Sequence, residues 1–519
     1  MFSGDIRKKI VHWLFKGCNQ YEIHELHVHK AILYMRNYLQ FRLHKIDKIS
    51  DKTSLYKKIA AVCLGLSIKL YEKASVRFEH LHQIFQFNTS IKELYDLEYD
   101  VVAANNFKLI VKTFYEHTNV LCYKILSNYA LHFDIFDNKS FINIENELMT
   151  FSKQLREIFN DIDSNIVDEL PHNFIIYKTK KNIDEINKVL DKASEVNQLP
   201  LNVTLVNDEN KAEQNQNLIF KYVDILDKIS EGGEGNVFKG ILDGQTIAIK
   251  TYKTYSNEYG ILACILSDII IQNSIFDTGI MTSIGIMNNE NKLNNIMELY
   301  GYNLSEFIKN FSPLIKSNPN TYYNMIKPIL FKICNSVKFL HDNEIVHCDL
   351  KPQNILVKKN NELLTFDTKI TDFGASRFLS FNNCFNIFDP SKECLICTIW
   401  YRPIDLLLGA DIFDEKVDIW SLGCIAAELA LGRPLFCGDD ENDMIKQIFS
   451  MFGQPKIIDN IITLPKYHKF SEIKYFKDQF LKCEIPNDLK KMIRNMLKYN
   501  PIKRPTIDEV LDDAYFVSS

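Results

Sequence analysis

Ile345-Val346-His347-Cys348-Asp349-Leu350-Lys351-Pro352-Gln353-Asn354-Ile355-Leu356 is the stretch whose reading decides the fold. Its polar residues suit the movement of a phosphoryl group. Asp349 can take a proton from a hydroxyl, Lys351 can neutralise a transferring phosphate, and Asn354 can hold a cation. About one hairpin further on comes Thr371-Asp372-Phe373-Gly374, a carboxylate beside a glycine and a metal-ligand signal. Asp-x-Lys-x-x-Asn alone is common. Followed by Asp-Phe-Gly at this distance, it is specific.

These two stretches resemble the catalytic and metal-binding loops of protein kinases. The resemblance implies an α+β, bilobal fold, with a small β-rich lobe and a large helical lobe. It also implies ATP and Mg2+ as cofactors, with Asn354 and Asp372 holding the metal. Upstream, Ile229-Ser230-Glu231-Gly232-Gly233-Glu234-Gly235-Asn236-Val237 precedes a strand, and Ile247-Ala248-Ile249-Lys250 is a second strand. Glycine permits a tight hairpin whose backbone N–H groups lie over phosphates. Ser230 stands where the family has its first glycine. By resemblance, Ile229, Val237 and Ala248 cover the adenine ring, Leu356 belongs to the same site, and Lys250 pairs with the α and β phosphates. Asn295-Ile296-Met297-Glu298-Leu299-Tyr300 resembles the strand into the hinge, with Met297 as gatekeeper. Backbone groups of Glu298 and Tyr300 would meet adenine, and Asn303 would reach the ribose.

Leu262-Ala263-Cys264-Ile265-Leu266-Ser267-Asp268-Ile269 aligns with the signature helix of cyclin-dependent kinases. Asp268 then takes the place of the glutamate that orients the lysine. Aspartate is one methylene shorter, so the pair needs the helix about 1 Å closer. Glu258 is the rival partner. This helix also carries Ile261, Leu262, Ile265, Leu266, Ile269, Ile270 and Ile271, more apolar surface than one small lobe covers.

Cys397-Thr398-Ile399-Trp400-Tyr401-Arg402 matches the Thr-x-Trp-Tyr-Arg of the same kinases. The match implies that Thr398 bridges Asp349 and Lys351, a serine/threonine-kinase feature, and that Arg402 favours proline after the phosphoacceptor. Pro403-Ile404-Asp405 replaces the usual Ala-Pro-Glu, with Arg504 as the partner of Asp405. Two departures bear on regulation. Cys348 replaces the arginine that would hold a phosphorylated activation loop, and Glu393 sits where the activating threonine usually lies. Gly233-Glu234 replaces the Thr-Tyr pair used for inhibitory phosphorylation. The kinase resemblance covers 219–517.

Residues 1–118 read as helices throughout. Ile6, Ile10, Val11, Leu14 and Phe15 form one stripe, and a second helix runs from about Val28 to Phe41. The third, Leu55 to Tyr71, has almost no polar face and must be buried on every side. A shorter segment, Val76 to Phe87, follows, and Ser90-Ile91-Lys92-Glu93 fits a capping box opening the fifth. One central helix ringed by four resembles a cyclin box. Arg7 to Leu14 resembles its opening helix, Ala60 to Glu72 its central helix, and Leu97 to Phe107 its fifth. The family's kinase-contacting Lys and Glu fall on Lys69 and Glu98. An unrelated five-helix bundle is the other reading. Residues 119–218 read as an irregular helical extension, open to being a decayed second box, and a linker. The 18 or so residues after Leu199 can reach roughly 60 Å, enough for the helical domain to fold back on the kinase part.

Composition excludes several classes. The 519 residues carry 46% hydrophobic side chains and a net charge of −5, with no long basic run, so no nucleic-acid partner is expected. Twelve scattered cysteines read as reduced thiols. Cys394 and Cys397 have no second pair to make a zinc site. His24, His27 and His29 do not share one helical face and read as solvated rather than metal-binding. No secretory leader or membrane span is read, so an intracellular, cytoplasmic or nuclear monomer is expected. The expected function is a serine/threonine protein kinase acting on protein substrates, proline-directed and activated by its own cyclin-like domain. The alternative is a kinase-fold scaffold whose cyclin-like part recruits another kinase, with Ser230, Asp268 and Cys348 as the substitutions that favour it.

Overall fold

The computed structural model describes residues 4–20, 23, 26–46, 52–71, 81, 85, 91–105, 109, 223–231, 235–242, 244–253, 261–289, 292–360, 365–379, 397–410, 413–453, 455, 461–470 and 480–517. Gly232, Gly233, Glu234, Glu258, Glu393, Cys394, the Ser90 cap, most of the 76–87 segment and the whole 119–218 extension lie outside them.

The N-terminal part is helical. Its described helices are α1 (Gly4–Gln20), α2 (Leu26–Ile46), α3 (Lys52–Tyr71) and α4 (Ile91–Ala104). The others pack on α3, which is buried at every position from Ile59 to Tyr71. That is the fate a helix without a polar face requires. Trp13 of α1 lies on Phe85, with ring centroids 4.3 Å apart. The histidines depart from expectation. His27 and His29 are buried, not solvated. The start of α2 packs on the end of α3, so His27 Nδ1 lies 2.8 Å from Ser67 Oγ and the His29 ring meets Phe15 edge-on. His24 is outside the described residues.

Two polar residues of this part are buried together. Lys69 Nζ donates to Glu98 Oε1 at 2.5 Å, and both side chains are at most 2% exposed. Burial pushes the Lys69 ammonium down and the Glu98 carboxyl up, and the charge of each on the other pulls back. The second Glu98 oxygen leaves the domain altogether, accepting the Ile261 N–H at 3.0 Å.

The kinase-like part begins with an antiparallel sheet in the order β1-β2-β3-β5-β4. The strands are β1 (Val223–Glu231), β2 (Gly235–Leu242), β3 (Gln245–Tyr252), β4 (Ser283–Asn289) and β5 (Lys292–Glu298). A side chain on Gly235 would meet the Thr251 carbonyl at 2.4 Å, so the β2–β3 contact needs glycine there. Helix α5 (Ala263–Ser274) crosses between this sheet and α3. Its Ile265, Leu266, Ile269, Ile270 and Ile271 are all buried, and one continuous apolar core runs from the helical domain through α5 into the large lobe. An isoleucine left bare there would cost about 2 kcal/mol.

The large lobe is built on α6 (Leu304–Phe311), α7 (Pro319–Asp342), α8 (Lys416–Leu431), α9 (Glu441–Phe452) and α10 (Asn487–Met496). Short strands β6 (Tyr302–Asn303), β8 (Ile355–Lys359) and β9 (Phe366–Ile370) form one small sheet, and β7 (Ile345–Val346) pairs with β10 (Arg377–Phe378). Arg504 pairs with Asp405, closing the lobe under α8. Among the described residues no helix is long and apolar enough to cross a membrane.

Lys69→Met leaves Glu98 buried without its cation. Such a break costs roughly 3–5 kcal/mol, and chemical denaturation of the full chain is expected to lose that much stability. Adding Glu98→Gln is expected to recover part of it.

Candidate active site

The catalytic loop follows β7, and its turn is set by a left-handed residue, Cys348 at φ 63°. The loop is fastened from below. Buried Asp418, near the start of α8, accepts the His347 N–H at 2.8 Å and the Cys348 N–H at 3.0 Å. The His341 ring also lies 3.0 Å from it. An acid in a helix buried almost throughout serves the two amides that the turn would leave unpaired.

Asp349 therefore faces the cleft with its bonds set. Thr398 donates to its Oδ1 from the backbone at 2.7 Å and from the hydroxyl at 2.8 Å. Lys351 Nζ donates to Asp349 Oδ2 at 2.6 Å and to Thr398 Oγ1 at 2.9 Å. Asn354 Nδ2 donates to the Asp349 carbonyl at 2.9 Å. The backbone of Asn354 accepts the Thr371 N–H at 3.0 Å, which ties this loop to the one carrying Asp372.

Across the cleft, Lys250 on β3 donates to Asp268 at 2.5 Å and to Asp372 at 2.7 Å. The helix aspartate thus reaches Lys250, while the rival Glu258 lies outside the described residues. Burial raises the Asp372 carboxyl, but Lys250, His347 and Lys351 together bring it below the ordinary range. It stands ionised at neutral pH. The Phe373 N–H donates to Asp268 at 2.8 Å, so α5 and the Asp-Phe-Gly loop share one carboxylate.

The wall of the cleft where the resemblance puts adenine is apolar. Ala248 sits opposite Met297 in the sheet, and Met281, Met297, Tyr300 and Leu356 form one cluster. Gly301 turns the hinge at φ 31°, where a Cβ would fall 1.9 Å from the Val357 carbonyl. Val237 lies opposite Lys250, and Ser230 opposite Val237, at the open end of β1, where Ile229 is half-exposed. Glu231 pairs with Asn236 in the same ladder and with Lys228 at 2.6 Å. The Glu298 side chain pairs with Lys369. Asn303 caps α6, accepting the Glu306 N–H at 3.0 Å and donating to the Glu306 carboxylate at 3.1 Å. A ribose hydroxyl would have to share that amide.

The donor set suits the expected ion. Asn354 spends its amide nitrogen on Asp349 and offers an oxygen; Asp372 offers a carboxylate. Two hard oxygen ligands fit Mg2+, which takes its remaining partners from phosphates and water. Among the described residues no three His, Cys, Asp or Glu side chains come together as a metal site.

Sequence reading passed over Asp418, Tyr71, Tyr252 and Gln272. Tyr71, at the end of α3, stacks on Phe378 with centroids 4.6 Å apart, six residues beyond Asp372. Lys30 Nζ sits 3.9 Å from the centre of the same Tyr71 ring. Cys348 packs with Val346, Cys397 and Val417, so an apolar plug fills the place where the resemblance puts an arginine.

The protein kinase domain family matches residues 223–516, and the cyclin N-terminal domain family matches residues 2–110. Cyclin-dependent kinase 2 of Caenorhabditis elegans is 31% identical over 311 residues, which cover 57% of this chain and 78% of that protein.

Thr398→Val removes the hydroxyl that joins Asp349 to Lys351. Losing one or two charge-assisted bonds is expected to lower kcat about 10- to 100-fold, with KM for ATP nearly unchanged. Thr398→Ser is expected to stay close to wild type in the same steady-state assay.

Proposed function

The chain belongs to the protein kinase family, and from that membership we propose a proline-directed serine/threonine kinase that its own helical domain switches on. It is a kinase of the cyclin-dependent type, and it uses ATP with a divalent metal. The observation that carries the self-activation is the reach of Glu98 from the helical domain to the Ile261 N–H at the head of α5.

The roles follow from the contacts. Asp349 accepts the proton of the substrate hydroxyl, and Lys351 and Thr398 hold its carboxylate at that angle. Lys250, aimed by Asp268, steadies the α and β phosphates. Asp372 and Asn354 hold the magnesium, which supplies charge neutralisation at the phosphates when bound. Ile229, Val237, Ala248, Met297 and Leu356 exclude water from the adenine side.

Proline preference rests on Cys397. Its φ is 66°, and its carbonyl is already taken by Arg402, from Nη2 at 2.9 Å and Nε at 3.3 Å. Arg402 is held in turn by Glu441 at 2.8 Å. Cys397 adjoins Thr398, so this carbonyl borders the phosphoacceptor position. A substrate residue there with an N–H finds no acceptor; proline has no N–H to lose.

Control by activation-loop phosphate is weakened by the same packing. Cys348 packs in an apolar cluster where an arginine would sit, and Arg377 turns its Nη1 to the Ala375 and Ser376 carbonyls. The intact set Lys250, Asp349, Lys351, Asn354 and Asp372 favours catalysis over a scaffold role.

Full-length protein with radiolabelled ATP and paired Ser-Pro and Ser-Ala peptides tests the reading, with Asp349→Asn as the inactive control. Proline is expected to be preferred about 10- to 100-fold, and Arg402→Ala is expected to shrink the preference. Label transfer undiminished in Asp349→Asn would refute the assignment of the base. Equal use of the two peptides would refute proline direction.

A further inference from the structure

Asp268 is buried completely, yet its carboxylate is surrounded by donors on all sides. Oδ2 accepts from Lys250 Nζ at 2.5 Å and from the Tyr252 hydroxyl at 2.7 Å. Oδ1 accepts from Gln272 Nε2 at 2.5 Å and from the Phe373 N–H at 2.8 Å. A carboxylate has about four lone-pair sites, and here each oxygen has two donors. The Lys250 and Phe373 bonds belong to the active site already described. Tyr252 and Gln272 are extra.

Both are held in place. Tyr252 is two residues after Lys250 on β3, so its side chain leaves the same face of the sheet. Its ring is buried, and burial together with the Asp268 charge holds the phenol well above its ordinary value, so it stays a donor. Gln272 lies one turn after Asp268 on α5, on the same helical face. Its carbonyl oxygen accepts from Asn295 Nδ2 at 3.1 Å, and Asn295 accepts from Ser283 Oγ at 2.6 Å. Asn295 stands opposite Lys250 in the β3–β5 ladder. The chain Asp268, Gln272, Asn295, Ser283 thus returns to the sheet that carries the lysine.

We propose that Tyr252 and Gln272 are positioning residues for Lys250, and that they fit the site to aspartate in place of a longer acid. A carboxylate on a shorter stem leaves room at its sides. The phenol and the amide fill that room and fix the carboxylate's orientation, which a lone ion pair would leave free to rotate. The phosphate-binding cation is thereby aimed by four elements, β3, β4, β5 and α5. The proposal rests on the kinase reading of Lys250, and its experiment tells the two apart.

It predicts an unusual sign. Asp268→Glu restores the family's residue but pushes the carboxylate about 1 Å further out, into the Tyr252 hydroxyl. In the full chain this variant is expected to lose about tenfold in kcat. Tyr252→Phe alone, which removes one donor, is expected to lose about three- to tenfold in kcat with KM for ATP within about twofold. The double variant Asp268→Glu/Tyr252→Phe is expected to recover most of the wild-type kcat, because the phenyl ring leaves space for the longer acid. Rates are taken per active site, counted by burst or tight inhibitor titration, so that a change in folded fraction does not register.

Losses that multiply in the double variant, or a Tyr252→Phe enzyme with wild-type kcat, would overturn the proposal. Should Asp268→Glu not fold, the Tyr252→Phe kcat decides alone. If Lys250→Met leaves kcat untouched, the kinase reading of Lys250 is what fails, and the positioning claim falls with it by a separately visible route.

Discussion

The Glu98 carboxylate is the constraint on which the rest of the structure depends. One oxygen accepts from Lys69 inside the helical domain, and the other accepts the Ile261 N–H, two residues before α5. A carboxylate this deeply buried is costly unless paired and hydrogen-bonded. With the two domains in contact, both of its oxygens are paired. With the head of α5 fixed, Asp268 lies where Lys250 and the Phe373 N–H can both reach it. Lys250, α5 and the Asp-Phe-Gly loop are then set together.

A second contact works on the other side of the cleft. Tyr71 ends the central helix of the N-terminal domain and meets Phe378, just beyond Asp372. Aromatic pairs of this kind add about 0.5–1.5 kcal/mol beyond their buried area. That energy suffices to bias a loop between two arrangements but not to hold a domain. The apolar core shared by α3 and α5 does the holding. Phe378 and Cys397, on either side of that loop, are thus each held by packing, one against Tyr71 and the other in the Cys348 plug.

Much of this was legible in the sequence, and the reason is local. Asp349, Lys351 and Asn354 lie within six residues of one another, and their spacing is enforced by one loop. The central helix was legible too, because its lack of a polar face is a property of its own residues. What escaped reading depends on which segments meet. His27 and His29 have ordinary helical spacing, and nothing local says that α3 meets the one and α1 the other. Tyr252 and Gln272 read as plain strand and helix residues until both are seen around Asp268. Asp418 carried a faint signal, an acid inside an apolar run, but its partners are 70 to 77 residues away.

Phosphorylation rates of the full chain and of residues 219–519 alone, each measured across a wide dilution series, test the central claim most directly. An activator carried on the same polypeptide acts at an effective concentration of roughly millimolar whatever the dilution. The account predicts a specific activity for the full chain that does not change on dilution, and a shorter piece at least about 100-fold slower. A shorter piece as fast as the full chain would contradict it.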